Sequence, residues 1–472
     1  MAHSFQDLHV RRSVKLSFKS LIDSLEIILS KQWEDLTEST IERTKWIILD
    51  TAVAAWEGTR NEELAAYLAD AASEEKNMFH PIPIIGTGFY ASGADSLMLH
   101  GTAVVSNELD EGNQFAKGHP AAHIFPAAYL AAIENNSSGQ EFIRAFVLAY
   151  EISARFAYAC NMNDDMHPHG TWGTIGGAVA AGILKRKSTE ELINIVLLAA
   201  SLPLATSWEA AVTGQTARNL YTGISSQIAY HVPSLQQYGF ESSVHVVEHI
   251  WGTLISNKVN ATLFTKELWA PPLVEKSFFK YYPTCRFTHS SIDALFKLTK
   301  INKIDVSTIK SIKVETYQLA ARLVNDKPDN KLSAKFAIPF LLANILLENN
   351  LYSSFGEAAL KDKLVVALAS KITVEENEEM TKALPEERAA RITITLKDGT
   401  ILQDEVKDAS GGYKEPLSIP ILTDKYENML GNKELVAKLI TETNRLDEVE
   451  DVTKWVSHFH GKGDSVYETV SY

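Results

Sequence analysis

Asn107-Glu-Leu-Asp110-Glu-Gly-Asn-Gln-Phe-Ala-Lys-Gly-His119-Pro-Ala-Ala-His123 is a polar, glycine-broken run between apolar, alanine-rich segments. Such a loop adds nothing to a core, so its polar groups need one another, water or a ligand. Pro120 suits the first turn of a helix, which leaves His119 near that helix's positive N-terminus. The run reads as the floor of an active site, and its flanks decide the fold. Ser92 to Val105 before it and Ala121 to Glu134 after it are helical in pattern, the second with a kink expected at Pro126.

Working outward, the helical pattern continues on both sides. Upstream, residues 13 to 30 carry Leu16, Leu21, Leu25 and Ile28 near helical spacing. Thr40 to Trp56 and an Ala-rich stretch over 61 to 76 follow, and Pro81 to Gly86 reads as extended. Downstream, Ser138-Gly-Gln-Glu141 is a capping box opening a helix with Phe142, Ala145, Phe146 and Ala149 on one face. Glu190 to Ser201 is a short helix, and another follows the polar Ala211 to Gly223 run and ends at Tyr238-Gly239. Small residues on helix after helix allow close approach, so a bundle-like core is expected, not a sheet.

The pattern changes after Trp269-Ala-Pro-Pro. Ile309 to Tyr317 partly alternates and reads as a strand, and Phe336 to Leu347 is an apolar helix. Arg391 to Val406, turning at Asp398-Gly399, is a hairpin, because Asp-Gly supplies the positive φ angles of a tight turn. Helical pattern returns from Leu417 to Phe459, with a loose tail from Gly461. The expected fold is mainly α. A large helical domain is built from residues 1–269 and 411–472, with a smaller α+β unit, 270–410, inserted between them.

Composition narrows the function classes. A chain of 472 residues is long enough for two domains, and 45% apolar with 22% charged residues is ordinary for a globular protein. A net charge of −14 and a pI near 5.5 argue against nucleic acid, though a local basic pocket can still take an acidic substrate. Two cysteines, Cys160 and Cys285, give no disulfide framework and fit a reducing compartment. The N-terminus lacks a signal-peptide pattern and no run reaches ~18 apolar residues, so a cytoplasmic protein free of the membrane is expected.

Four polar stations carry chemistry: Asp110 with His119; His167 with the run ending Gly173-Thr174-Ile-Gly-Gly177; Arg218 with Tyr221; and Lys280-Tyr-Tyr-Pro-Thr-Cys285-Arg286-Phe-Thr-His289. Each lies beside a helix end or a Gly or Pro break. Arginines clamp an anion, helix amides share its charge, and a histidine takes or returns a proton. No dinucleotide fingerprint or Walker-type run occurs. His100, His231, His245, His249, His458 and His460 read as surface or satisfied core, Trp172 as packing, and Cys285 as a small apolar filler. The run Glu375-Glu-Asn-Glu-Glu reads as a solvated face. His119 with His123, four apart, and His167 with His169 raise a metal site as a rival, but no acidic ligand accompanies them in a HExxH pattern.

Taken together the stations resemble the MmgE/PrpD family of 2-methylcitrate dehydratases, cis-aconitate decarboxylases and iminodisuccinate epimerases. The resemblance spans nearly the whole chain. It rests on Gly101-Thr-Ala…Leu109-Asp110, Gly118-His119-Pro120, His167-Pro168…Gly173-Thr174-Ile175-Gly176, Gly223, Tyr238-Gly239-Phe240, Lys280…Tyr282-Pro283…His289-Ser-Ser-Ile-Asp-Ala, Asp398-Gly399 and Gly412…Pro416-Leu417-Ser418. It implies a helical domain built from both chain ends under a smaller α+β lid, a homodimer, and chemistry on small di- and tricarboxylates without metal or organic cofactor. Asp110, His119, His167 and His289 match the family's pocket positions and are the expected catalytic residues. Gln114, Thr174, Arg218, Tyr221, Arg286 and Tyr317 are the expected substrate-binding residues. Three departures stand out. Arg218-Asn-Leu-Tyr221 replaces a lysine-bearing run. Gln114 replaces the decarboxylases' threonine. The loop between Asp110 and His119 differs in length and lacks their further acids. A dehydratase-like hydro-lyase is the first expectation, with epimerase or decarboxylase the second and a carboxylate-binding homologue without catalysis the third.

Overall fold

The computed structural model describes residues 19–73, 79–347, 351 and 355–461. The expectations for 13–18, 74–76 and the tail from 462 lie outside the described residues. Helix α1 covers 19–29, and then come α2 (Glu38–Gly58), α3 (Glu62–Ser73), α4 (Gly93–Ser106), α5 (Pro120–Glu134) and α6 (Gly139–Ala159). α7 (Gly173–Leu184), α8 (Thr189–Ala200), the one-turn α9 (Glu209–Val212) and α10 (Ala217–Gln237) complete the run. The chain is mainly α, and no helix among the described residues is long and apolar enough to cross a membrane.

Local chemistry explains several of these bounds. Ser138 Oγ accepts from Glu141 N at 3.2 Å while Glu141 Oε2 accepts from Ser138 N at 2.8 Å, which is the expected capping box of α6. Pro120 opens α5 with His119 as its N-cap, and the helix continues through Pro126 as one element. α10 begins at Ala217, earlier than the glycines suggested, so Arg218 and Tyr221 stand on a helix and not in the preceding loop.

Small residues do permit close crossings. α4 meets α10 where a Cβ on Gly101 would lie 2.8 Å from the Gly223 Cα. A Cβ on Gly139 would lie 1.6 Å from the Leu446 carbonyl oxygen, so the C-terminal segment sits directly on the start of α6. Gly139 N donates to Val449 O at 2.9 Å, which fixes that contact. Helices Ile419–Leu430 and Lys433–Asn444 thereby join the core formed by the first half of the chain.

A second, separate apolar core holds residues from Cys285 to Val406, joined by Ala211. Its four-stranded sheet runs in the order Ile401–Val406, Ala390–Leu396, Ile309–Thr316, Ile372–Glu376. The first two strands form the expected hairpin, with Gly399 at φ +92° in the turn. The last pair is parallel, and its edge strand Ile372–Glu376 went unread, because the acidic run hides it. Glu375 and Glu376 on that strand are exposed, as a solvated face requires. Helices His289–Ile301 and Ile338–Leu346 supply the rest of this core.

Candidate active site

The loop after α4 is shaped by its own side chains. Glu108 takes a left-handed backbone, φ +56°, a conformation that costs a non-glycine residue about 1 kcal/mol or more and clusters at functional sites. Asn113 Oδ1 accepts from Phe115 N and Ala116 N, and Asn113 N bonds Gly118 O at 2.8 Å, which folds the run back toward His119. Gly112–Asn113 pairs antiparallel with Ser277–Phe278. That pairing carries Lys280, distant in sequence, under the acids of the loop.

There Lys280 Nζ lies 2.9 Å from Glu108 Oε2 and 3.1 Å from Asp110 Oδ1. Arg218 Nη2 pairs with Glu108 Oε1. All four side chains are buried. Burial alone would raise both carboxyls, yet the cations outweigh it. Arg218 and Lys280 hold Glu108 low, and His119 and Lys280 hold Asp110 well below the usual carboxylate range. Burial opposes the charge on Lys280 as well, but the two acids raise its pKa above the ordinary value.

His119 Nδ1 lies 2.6 Å from Glu111 O and 2.9 Å from Asp110 Oδ2. The hydrogen bond goes to the carbonyl, and Asp110 Oδ2 is a charge contact off the N–H line. This places the proton on Nδ1 and leaves Nε2 as the basic nitrogen. The His119 side chain is 12% exposed, whereas His123, His167, His169 and His289 are all buried at 2% or less. Glu111 itself accepts from Tyr150 Oη at 2.5 Å and from Ala121 N at 3.2 Å, and burial pushes its carboxyl up to about 8.

The other histidines have fixed roles. His123 Nδ1 donates to His119 O at 3.0 Å and its Nε2 accepts from Gly170 N at 3.0 Å, so both ring nitrogens are used. Burial pushes it down to about 4. His167 Nδ1 accepts from His169 N at 3.2 Å, and its Nε2 accepts from Arg218 Nε at 3.5 Å. A neutral ring accepts at only one of these two nitrogens at a time. Burial and then Arg218 hold His167 and His169 well below the ordinary histidine value, so both stay neutral. His169 Nε2 and Thr174 Oγ1 are buried without a hydrogen-bond partner among the described residues. His289 lies between Arg286 Nη1, at 3.3 Å from Nδ1, and Thr284 O, at 3.3 Å from Nε2.

Several expected binding residues turn out to be occupied. Arg218 is neutralised by Glu108 and donates to Val105 O and Asn219 Oδ1, so it offers no open fork. Arg286 donates to Ser410 O at 2.7 Å and Ala409 O at 2.8 Å. Gln114 Nε2 binds Pro385 O at 2.9 Å, holding the α+β unit against the loop. Tyr221 is half-buried, its ring 6.4 Å from that of His167. Tyr317 is buried and its hydroxyl has no partner among the described residues. Cys285 is inert, its thiol pushed up to about 12 by burial. His100 accepts from Ile85 N at 3.0 Å and is a satisfied core residue, and Trp172 is fully buried packing.

Sequence reading passed over Glu108 and Lys335, and placed Lys280 in a chemistry-bearing run without a role of its own. Lys335 is buried, donates to Asn107 O at 2.7 Å, and is pushed down to about 7 by burial and then by Lys331. Beside His167 a cleft opens between the two cores. It is lined by Lys117, Asn161 and Met166 on one side and by Trp208, Phe287 and Arg322 on the other. Trp208 stacks on His167 with ring centroids 5.1 Å apart, so the cleft leads to the histidine cluster. Among the described residues no group of three or more metal-ligating side chains is assembled.

The chain is 23% identical to the cis-aconitate decarboxylase of Aspergillus terreus over 458 residues, covering 89% of each chain. It is 24% identical to that of Homo sapiens over 470 residues, 93% of each, and 23% identical to that of Mus musculus, covering 98% of this chain and 96% of the relative. Residues 26–258 match the MmgE/PrpD N-terminal domain and residues 282–452 the MmgE/PrpD C-terminal domain, so the chain belongs to the MmgE/PrpD family.

Proposed function

We propose that the protein is a lyase or isomerase that removes a proton from carbon beside a carboxylate of a small di- or tricarboxylic acid, without metal or organic cofactor. One observation carries this reading. His119 is the histidine of the cluster that solvent still touches, and its Nδ1–H is fixed by Glu111 O with the Asp110 charge at 2.9 Å. His119 Nε2 takes the proton, and Asp110 stabilises the imidazolium that forms. Lys280 and Arg218 keep the acids ionised and in register. His167, neutral beside Arg218, donates its one ring N–H as a hydrogen bond to the developing oxyanion. His289, held by Arg286 and Thr284, and Thr174 complete the wall. The α+β unit acts as a lid, drawn onto the loop by Gln114 and Lys335.

Dehydration of a 2-methylcitrate-like acid is the first reaction. The C–H electrons form the new C=C as the C–O bond breaks, and the hydroxyl leaves as water with the proton that His119 has taken up. Decarboxylation is the second reading, favoured by the names of the relatives. Epimerisation needs the same base and is the third. The protein is read as a cytoplasmic homodimer. A panel of di- and tricarboxylates incubated with the protein in deuterated water tests the class. Exchange of a substrate C–H, or loss of water or carbon dioxide, is expected. Binding without exchange or product would leave a carboxylate-binding homologue in its place.

A further inference from the structure

An anionic substrate needs a cation that the resting site has not already used. In the half of the site around His119, Arg218 faces Glu108 and Lys280 bridges Glu108 and Asp110. On the α+β unit, Arg286 spends its donors on Ser410 O, Ala409 O and His289. Arg388 differs. It is 4% exposed, and one Nη2 bond at 2.8 Å goes to Gln114 O, but its Nε–H is buried without a partner among the described residues. The Tyr317 hydroxyl, within electrostatic reach of Arg388, is likewise buried and unpartnered. Asp408 offsets part of the local charge, yet it forms no ion pair with either arginine among the described residues, and its Oδ1 also has no partner. Two donors left unsatisfied at a buried position are costly unless an acceptor arrives.

Position points the same way. Arg388 and Tyr317 flank Phe287, at 5.3 Å from the guanidinium carbon and 5.9 Å between rings, and Phe287 lines the cleft. Cys285, two residues before Phe287, lies within electrostatic reach of Arg388 and Tyr317 and also of Glu108, Lys280 and Arg218. The backbone of Arg388 is held from both directions, by Lys407 O on its N–H and Ser290 Oγ on its carbonyl.

We propose that Arg388, with Tyr317 beside it, receives the substrate carboxylate remote from His119. The site then selects acids bearing at least two separated carboxylates. This rests on the polycarboxylate reading above and adds the residue that reads the far end.

The test compares the full-length wild type, Arg388→Gln and Arg388→Lys, titrated with cis-aconitate by calorimetry. Crotonate, which has one carboxylate, is followed by ligand-observed NMR. Arg388→Gln is expected to weaken cis-aconitate about tenfold or more and to leave crotonate unchanged, with Arg388→Lys recovering part of the loss. Unchanged cis-aconitate binding in Arg388→Gln, or equal loss for both acids, overturns the assignment alone. A wild-type chain that binds neither acid overturns the polycarboxylate reading together with it.

Discussion

Asp110 Oδ2 stands 2.9 Å from His119 Nδ1, but the hydrogen on that nitrogen points to Glu111 O. The backbone therefore sets the tautomer, and the carboxylate supplies charge. Asp110→Asn keeps the ring in place and removes only the charge. Turnover of the acid found in the screen is expected to fall about 100-fold with little change in KM. An equal rise in KM with unchanged kcat would mean that Asp110 binds substrate instead.

Glu108 joins Arg218 and Lys280 at a position where none of the three side chains is more than 2% exposed. Replacing it by Gln strands the buried Arg218 and leaves Lys280 with Asp110 alone. Glu108→Gln is expected to lose about 3–5 kcal/mol in denaturant unfolding. Adding Arg218→Gln should recover part of that loss, because the second substitution removes one stranded charge. Strict additivity of the two substitutions would contradict the coupling.

Glu111 gives the fold a pH dependence. Its carboxyl is raised by burial from the ordinary 4.5 up to about 8, so the folded chain keeps a proton that the unfolded chain has released. Its contribution makes stability fall as pH rises from about 4.5 to about 8. Glu111→Gln removes that titration while keeping a neutral side chain beside Tyr150 and Ala121 N. The melting temperature of the variant relative to wild type should therefore rise between pH 5 and pH 8. A constant difference would show that Glu111 is ionised throughout.

Both nitrogens of His123 are engaged, which removes half of the His119–His123 pair as a metal ligand. Dialysis against EDTA is expected to leave activity intact, and elemental analysis to find no stoichiometric metal. Bound zinc or iron lost together with activity would overturn the metal-free mechanism.

The sequence disclosed what is local. Pro120 announced the start of α5 and so the place of His119, Ser138 with Glu141 announced α6, and Asp398-Gly399 announced the hairpin. It hid what depends on distant partners. Lys280 meets Glu108 from 172 residues away and Lys335 meets Asn107 from 228, and no spacing rule reports such pairs. Arg286 and Arg388 look alike in a sequence. Only the carbonyls of Ala409 and Ser410, brought in by the chain after the hairpin, show that the first is occupied. Arg218 misled for the same reason, since its partner Glu108 sits in a loop that drew attention to Asp110. The strand Ile372–Glu376 was missed because an edge strand with one solvated face carries charges that mask its alternation.

The most direct measurement is the rate of C–H exchange in deuterated water for the substrate identified by the screen, in wild type and in His119→Ala. Removal of the base is expected to slow exchange about 1,000-fold or more while substrate still binds. Exchange at the wild-type rate in His119→Ala would contradict the account at its centre.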